Sequence, residues 1–334
     1  MSRSHRVRTR CGCRRVGWRE VMESQGLVNA RLKELFGTRV RDGASLVPFT
    51  TFRTGGPADW LLQTDRPDEL VTAIRETAAL GIPLTILGGG SNVLVGDGGV
   101  RGLVVRLRHG RLHATGPDRV RADAGVTLNG LVRWTIRRGM AGLESWAGTP
   151  GTVGGAIHGN AHFDGRLVGD MVTAVGLVDE AGTRIEVSAD EMAFDYDESR
   201  VKHTSEVVSW VEFAVRSGDP AVLRLAARDS LAFRKRTQPL DRASAGCVFQ
   251  NPRADDGPLP DDVPRSAGAL IDRAGLKGSR QGGAVVSTVH GNFIVNEGTA
   301  RAADIRALLE RCRREVARRF GIQLRLELVY LGEF

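Results

Sequence analysis

The segment Leu84-Thr85-Ile86-Leu87-Gly88-Gly89-Gly90-Ser91-Asn92 joins a short apolar run to a glycine-rich turn. The apolar run predicts a buried strand, and the turn is suited to an anion, because glycines let successive N–H groups point at one anion. It is not a Rossmann fingerprint, since Val93-Leu94-Val95 continues as a strand-like piece, and it lacks the Gly-Lys-Ser/Thr ending of a Walker loop. A plain tight hairpin turn is the alternative interpretation.

A second glycine-rich segment lies about 60 residues further along the chain. Its sequence is Gly148-Thr149-Pro150-Gly151-Thr152-Val153-Gly154-Gly155-Ala156, with four glycines in nine residues. A Pro-Gly turn alone would be structural, but two such loops in one block of short strands can clamp a dinucleotide from both sides. The pair therefore predicts a dinucleotide-binding site.

Composition sets limits on the class of protein. A chain of 334 residues with 41% hydrophobic residues predicts two or three domains. Four cysteines are few for this length and favour a reducing cytosol, and the spacing of Cys11 and Cys13 alone does not predict a metal site. There is no apolar run of about 18 residues, so we expect neither a membrane span nor a membrane partner.

The formal net charge of +8 is concentrated at the N-terminus. Residues 1–20 contain seven arginines and a single acid, which leaves +2 for the rest of the chain. One interpretation is a basic arm that binds nucleic acid. The preferred interpretation is a disordered or wrongly assigned extension over residues 1–21, with translation beginning at Met22 and no nucleic-acid partner.

Hydrophobic periodicity predicts a fold in which strands outnumber helices, which is typical of an α+β protein rather than of repeated βαβ units. The predicted elements are helices at 23–36, 67–80, 128–138, 220–236, 267–274 and 302–320, and strands at 60–64, 84–87, 103–107, 119–124, 172–179, 184–187, 206–215, 284–287, 292–295 and 324–331.

Five segments together resemble the UDP-N-acetylenolpyruvoylglucosamine reductase family, in the family's order, over residues 45–334. They are Thr51-Phe52-Arg53-Thr54-Gly55-Gly56, Ile86–Leu94, Gly148–Ala156, Ser244–Pro252 and Gly282–Asn296. The resemblance implies an α+β fold with a FAD-binding module of the vanillyl-alcohol-oxidase (PCMH) type. It places the two subdomains of that module at 22–85 and 86–217, and a C-terminal α+β substrate domain at 218–334.

The family's reaction takes a hydride from NADPH through FAD to UDP-N-acetylglucosamine enolpyruvate, and so makes UDP-N-acetylmuramate for peptidoglycan. The resemblance implies noncovalent FAD, NADPH as co-substrate, and a cytoplasmic enzyme that is a monomer. The residues that it assigns to FAD are Arg53, Thr54, Gly88, Gly89, Gly90, Ser91, Asn92, Gly148, Thr149, Pro150, Gly151, Thr152, Gly154 and Gly155.

Two catalytic residues follow from the resemblance. The family's proton donor is a serine, and Cys247 occupies that position; a thiol, with a usual pKa of about 8.5, can also protonate a carbanion-like carbon. The alternative is an inert core cysteine. The family's acid matches Glu327, whereas strand alternation alone would place Glu327 on a solvent-facing side with Arg325.

The family's arginine for the substrate carboxylate is missing. A Tyr-Arg-x-Ser motif is usual, but this chain reads Tyr196-Asp197-Glu198-Ser199, and an ionised Asp197 cannot bind a carboxylate. We expect Arg200 to take the role, and the alternative is a surface arginine paired with Glu198. The residues predicted to bind the substrate, chiefly its diphosphate, are Arg234, Gln250, Asn251 and Gly283. His290 and Asn292 are expected to pack around the site.

Two rival functions stay open on the sequence. A catalytically silent FAD- or nucleotide-binding protein of the same fold is favoured by Asp197. Another flavoprotein oxidase of this fold is less favoured, because it would lack the segments around Cys247 and Asn292.

Overall fold

The computed structural model of the protein describes residues 18–334, so the arginine-rich start, Cys11 and Cys13 lie outside the described residues. It contains seven α-helices within this range: α1 Trp18–Phe36, α2 Pro67–Leu80, α3 Leu128–Arg137, α4 Val153–His158, α5 Pro220–Thr237, α6 Ala267–Arg273 and α7 Ala302–Phe320. The helices predicted from the sequence are confirmed within a few residues, and the short α4 is additional.

The strands of the described chain are short and numerous, as the sequence predicts. They are β1 Val40–Ser45, β2 Pro57–Thr64, β3 Leu84–Leu87, β4 Val93–Val95, β5 Val100–Leu107, β6 Leu112–Gly116, β7 Arg119–Asp123, β8 Met140–Ala141, β9 His162–Phe163, β10 Arg166–Leu167, β11 Val172–Val178, β12 Arg184–Ser188, β13 Val207–Ala214, β14 Arg216–Ser217, β15 Arg280–Gln281, β16 Ala284–Val286, β17 Ile294–Asn296 and β18 Val329–Leu331.

The first sheet has the strand order β1-β2-β5-β3, in which β1 and β2 are antiparallel and β5 runs parallel to both β2 and β3. Helices α1 and α2 cover it through buried residues such as Phe36 and Leu70. A division at residue 85 would cut β3 away from its partner β5. The pairing therefore favours a boundary after Leu107, and the division into domains stays a prediction.

The second sheet is antiparallel, with the order β12-β11-β13-β7-β6. Helices α3 and α4 contribute to its core, which includes Leu131, Ile157 and Phe213. The side chain of Thr127 begins α3 by accepting a hydrogen bond from the N–H of Gly130 at 3.1 Å. The N-terminus of α4 lies against the first glycine turn, since a Cβ added to Gly88 would lie 2.6 Å from Oγ1 of Thr152, the residue that caps α4.

The C-terminal region builds a third core, in which α6 and α7 pack on the sheet β15-β16-β17. Strand β18 leaves this region and pairs in parallel with β4, with Val329 opposite Val93. Because β4 pairs with β18 and β3 pairs with β5, the hairpin interpretation of the turn at Gly88–Asn92 is wrong. The predicted strand at 324–331 is regular only in its last three residues.

Candidate active site

A cavity of about 700 Å³ opens where the two glycine segments and the C-terminal region meet. This volume lies within the range of small-molecule and cofactor sites. The residues that line it include nine of the predicted FAD residues, together with Cys247 and Glu327. The nine are Arg53, Gly89, Ser91, Asn92, Gly148, Thr149, Pro150, Gly151 and Gly155.

The two glycine segments contact each other through their backbones. A Cβ added to Gly89 would lie 2.6 Å from the Cα of Gly151, and one added to Gly151 would lie 2.7 Å from the Oγ of Ser91. Gly151 also has a φ of +106°, which disfavours a side chain. The glycines thus bring two backbone segments into direct contact at the wall of the cavity.

Four further hydrogen bonds fix the first glycine turn. Thr51 binds the carbonyl oxygen of Gly90 through both its N–H (3.0 Å) and its hydroxyl (3.2 Å). Asn92 Nδ2 donates to the backbone carbonyl of Glu327 at 3.0 Å, and the N–H of Val329 donates to the carbonyl of Asn92. Asn92 therefore uses one of its two side-chain N–H donors to bind the C-terminal segment.

The other predicted FAD residues support the loops from behind the cavity wall. Thr54 is buried and does not line the cavity. Its backbone carbonyl accepts a hydrogen bond from the hydroxyl of Thr50 at 3.1 Å. Thr152 caps α4 by accepting from Gly155 N–H at 3.3 Å, and Gly154 packs against Ala124. Gly88 and Gly90 likewise lie against protein atoms, Thr152 and Phe49 respectively. The sequence found these segments but could not separate lining residues from supporting ones.

Cys247 lies on the cavity wall on a segment held by Asn292. The side chain of Asn292 accepts from the N–H of Phe249 at 3.0 Å and donates to its carbonyl at 2.7 Å, and the carbonyl of Asn292 accepts from Val248 N–H at 3.0 Å. Burial, followed by the charge of Glu327, raises the pKa of the Cys247 thiol. The thiol therefore keeps its proton at neutral pH, as a proton donor requires.

Glu327 faces the cavity and not the solvent, so the interpretation from strand alternation is wrong. The segment is positioned by a hydrogen bond from the N–H of Glu327 to the carbonyl of Val248 at 3.0 Å. Its Oε2 is buried and has no hydrogen-bond partner among the described residues. Burial, with a smaller effect of Asp197, raises the pKa of Glu327 to about 8, while Lys202 acts in the opposite direction.

Asp197 also lines the cavity, with 2% of its surface exposed. Lys202 Nζ lies 2.6 Å from its Oδ1 and also donates to its backbone carbonyl. Gln250 Nε2 donates to its Oδ2 at 2.6 Å. Asp197 adopts a positive φ of 54°, in a tight turn between Asp195 and Glu198. Each oxygen of its carboxylate is thus bound by a protein group that the sequence did not connect with it.

The structure does not bring Arg200 to the cavity. Its guanidinium binds the carboxylate of Glu206 through two hydrogen bonds, of 2.8 Å and 2.7 Å, and Arg200 is not among the lining residues. The partner is therefore Glu206 and not Glu198, which instead contacts His203. The geometry therefore does not support the prediction that Arg200 binds the substrate carboxylate.

Of the predicted substrate residues, Arg234 alone lines the cavity. It is 5% exposed, donates to Thr149 Oγ1 at 2.8 Å, and stacks over the ring of Phe163 at 3.4 Å. Burial lowers its pKa to about 10. Its partners among the described residues are thus a hydroxyl and an aromatic ring, and a buried guanidinium without a carboxylate is suited to an anionic ligand.

The remaining predicted substrate residues lie elsewhere. Gln250 binds Asp197, as described above. Asn251 Oδ1 accepts from Ala267 N–H at the start of α6 at 3.0 Å. Gly283 allows close backbone contact, since an added Cβ would lie 2.4 Å from the nitrogen of Ala300. Both Asn251 and Gly283 thus have structural contacts that account for their residue type.

Two groups at the cavity were missed by the sequence analysis. Arg106, on β5 beside the first glycine turn, lines the cavity and lies 5.0 Å from the ring of Phe49, and burial lowers its pKa. His162 also lines the cavity, and its ring centre lies 4.5 Å from that of Tyr196, with the two rings tilted by 49°. Arg106 lies between the apolar Val105 and Leu107 in a strand, so the sequence gives no indication that it contacts a ligand. Its position on the cavity wall becomes evident only when β5 pairs with β3, where Arg106 lies opposite Leu87.

Two regions of the chain match known domain families. Residues 58–188 match the FAD binding domain, and residues 238–331 match the C-terminal domain of UDP-N-acetylenolpyruvoylglucosamine reductase. These matches confirm the FAD-binding module and the α+β fold class predicted from the sequence. No described helix has the length and apolar character needed to cross a membrane, and no cluster of three metal-ligating side chains is present among the described residues.

Similar proteins cover almost the whole chain. The UDP-N-acetylenolpyruvoylglucosamine reductase of Desulfosudis oleivorans is 39% identical over 90% of this chain and 97% of its own length, and that of Moorella thermoacetica is 41% identical over 85% and 90%. The crystal structure of the reductase from Thermus caldophilus superimposes with a TM-score of 0.74 at 34% identity, covering 88% of this chain and 99% of that one. The chain belongs to the UDP-N-acetylenolpyruvoylglucosamine reductase family.

Proposed function

We propose that the protein reduces UDP-N-acetylenolpyruvoylglucosamine to UDP-N-acetylmuramate, with NADPH as the electron donor and noncovalent FAD, during peptidoglycan precursor synthesis in the cytoplasm. We further propose that it acts as a monomer. One observation carries the proposal: the thiol of Cys247 and the carboxyl of Glu327, whose Oε2 has no partner among the described residues, lie on the same cavity that both glycine segments line.

The residues at the cavity fit FAD. Gly89 and Gly151 have no side chains, so their backbones can approach a pyrophosphate closely. The hydroxyl of Ser91 adds a hydrogen-bond donor. Arg53 and Arg106 line the same region and supply positive charge. When bound, FAD provides the hydride transfer that no amino-acid side chain can perform. Binding energy from these contacts holds the cofactor without a covalent bond.

Cys247 is proposed to deliver the proton that completes the reduction. The contacts from Asn292 hold its segment in place, so the thiol has a fixed position on the wall. Burial keeps the thiol protonated until a carbanion-like carbon is generated beside it. Glu327 is proposed to contact the enolpyruvyl carboxylate, where negative charge grows during the reaction.

Arg234 is proposed to bind the diphosphate of the substrate. Its guanidinium is buried on the cavity wall and is held flat by Phe163, so it is preorganised for an anionic oxygen. We also retain the proposal that residues 218–334, which contribute Arg234, Cys247 and Glu327, form the substrate domain.

A catalytically silent FAD-binding protein is the second candidate function, because Asp197 occupies the place of the family's arginine. An anaerobic stopped-flow experiment separates the two candidates. NADPH should bleach the flavin absorbance, and UDP-N-acetylenolpyruvoylglucosamine should then restore it. Bleaching without reoxidation would contradict the reductase proposal and support the silent one.

A further inference from the structure

The carboxylate of Asp197 lines the cavity that the proposed substrate would enter. Asp197 is ionically bound to Lys202 at 2.6 Å, so the nearby cation is already neutralised. The side chain of Arg200 is held at Glu206, outside the lining residues. The substrate carboxylate therefore needs a different group to hold it at this end of the cavity.

Glu327 is the group whose position fits. Its segment is antiparallel to the segment of Gln250: the N–H of Gln250 donates to the carbonyl of Arg325 at 2.9 Å, and Phe249 pairs with Leu326. Gln250 in turn donates to Asp197 at 2.6 Å. These contacts place the Asp197 carboxylate beside Glu327, whose Oε2 has no partner among the described residues.

The charges that act on Glu327 come from several elements. Asp197 and Lys202, in the segment that follows β12, both influence the pKa of Glu327. Tyr196 and Cys247 are also nearby, since the charge of Glu327 raises the pKa of each of them. Burial and Asp197 favour the neutral acid, and they outweigh Lys202, since the pKa of Glu327 rises to about 8. A neutral carboxyl group can donate a hydrogen bond, whereas an ionised one only accepts.

We propose that Asp197 is a positioning residue that, together with burial of the carboxyl group, keeps Glu327 protonated, so that Glu327 donates a hydrogen bond to the substrate carboxylate in place of a guanidinium. An O–H···O⁻ bond of this kind is among the stronger hydrogen bonds in proteins. An ionised Glu327 would instead repel the substrate. This inference rests on the proposed function, and it explains how the site can operate with an aspartate where an arginine is usual.

The pH profile of kcat/KM tests the inference. The sign follows from the raised pKa: Glu327 is protonated below about pH 8 and loses its proton above it, so wild-type kcat/KM should fall above about pH 8. Asp197→Asn is isosteric and removes one negative charge. It should move this alkaline limb down by about one pH unit, with about a tenfold loss of kcat/KM at pH 9.

Three further variants test whether Glu327 is the group whose titration causes the alkaline limb of the pH profile. Glu198→Gln, in the same turn, should leave the limb in place. Cys247→Ser should keep the limb, because its hydroxyl does not titrate in this range. Glu327→Gln carries a permanent N–H donor, so its residual activity should show no such limb, and adding Asp197→Asn should cause no shift. A limb that stays in place or moves upward in Asp197→Asn, or one that disappears in Cys247→Ser, would overturn the inference.

A measurement on the wild-type holoenzyme keeps the test independent of how Asp197→Asn folds. Infrared difference spectra between Glu327→Gln and wild type at pH 7 should show a protonated carboxyl band in the wild type alone, and its absence would overturn the inference. Absence of turnover in the wild type at every pH would instead count against the proposed function itself, so the two failures are distinguishable.

Discussion

Replacement of Gly89 by alanine tests whether the two glycine segments are in contact. The added methyl carbon would lie 2.6 Å from the Cα of Gly151, 3.2 Å from its carbonyl carbon and 3.4 Å from its nitrogen. All three are backbone atoms, so no side chain can turn aside, and the loops must separate. Overpacking of this kind costs about 1–3 kcal/mol. At an unfolding entropy of about 2.1 cal/mol/K per residue, we expect the Tm of the apoprotein, a chain of 334 residues, to fall by about 1–4 °C.

Gly155→Ala is the matched control. Gly155 also lines the cavity, but its added Cβ would lie 3.5 Å from Thr152 Oγ1, which is an ordinary contact, and the residue is helical. We expect the Tm of this apoprotein to stay level or to rise slightly, because alanine is the better helix former. Thermal unfolding followed by circular dichroism measures both variants. Equal Tm values for the two would refute the contact between the loops.

Three other substitutions test the proposed roles of individual residues. Cys247→Ser should retain turnover. Cys247→Ala should still reduce flavin with NADPH but should lose about 10²-fold or more in kcat. Full turnover by the alanine variant would contradict the role of Cys247 as proton donor. Asn292→Ala leaves the buried N–H and carbonyl of Phe249 unpaired, so the free energy of unfolding in urea should fall by about 2–6 kcal/mol. An unchanged midpoint of unfolding would count against the role of Asn292 in holding the segment of Cys247. Arg234→Lys loses the stacking on Phe163 and should raise KM for the UDP substrate about tenfold in steady-state assays; an unaltered KM would exclude the diphosphate contact.

The sequence predicted elements well where local chemistry sets their ends. The bounds of α2 and α7 agree with the prediction, because Pro67 begins α2 and Gly81 and Gly321, both with left-handed backbone, end the two helices. The short α4 was missed, since Gly154 and Gly155 disfavour a helix in isolation. It forms because Thr152 caps it and the second sheet packs against it.

The candidate site shows the same division between local and long-range information. The glycine segments are evident from composition, because each one is a continuous stretch. The pairing of Arg200 with Glu206 depends on the conformation of a loop, and the contact between Gln250 and Asp197 joins residues 53 positions apart. Leucine alternation at 324–328 predicted a strand with Glu327 facing solvent, but this segment crosses the cavity and buries Leu324 and Leu328 without a regular ladder.

The parallel pairing of β18 with β4 makes assembly of the site a late event in synthesis. Asn92 and Glu327, whose backbone carbonyl it binds, are 235 residues apart, and β18 follows Glu327 in the chain. After Asn92, 235 further residues must therefore leave the ribosome before the first glycine turn gains this contact. Closing so long a loop is entropically costly and slow, so stable cofactor uptake should begin only after β18 has been synthesised, and it should be sensitive to changes that weaken the pairing of β18 with β4.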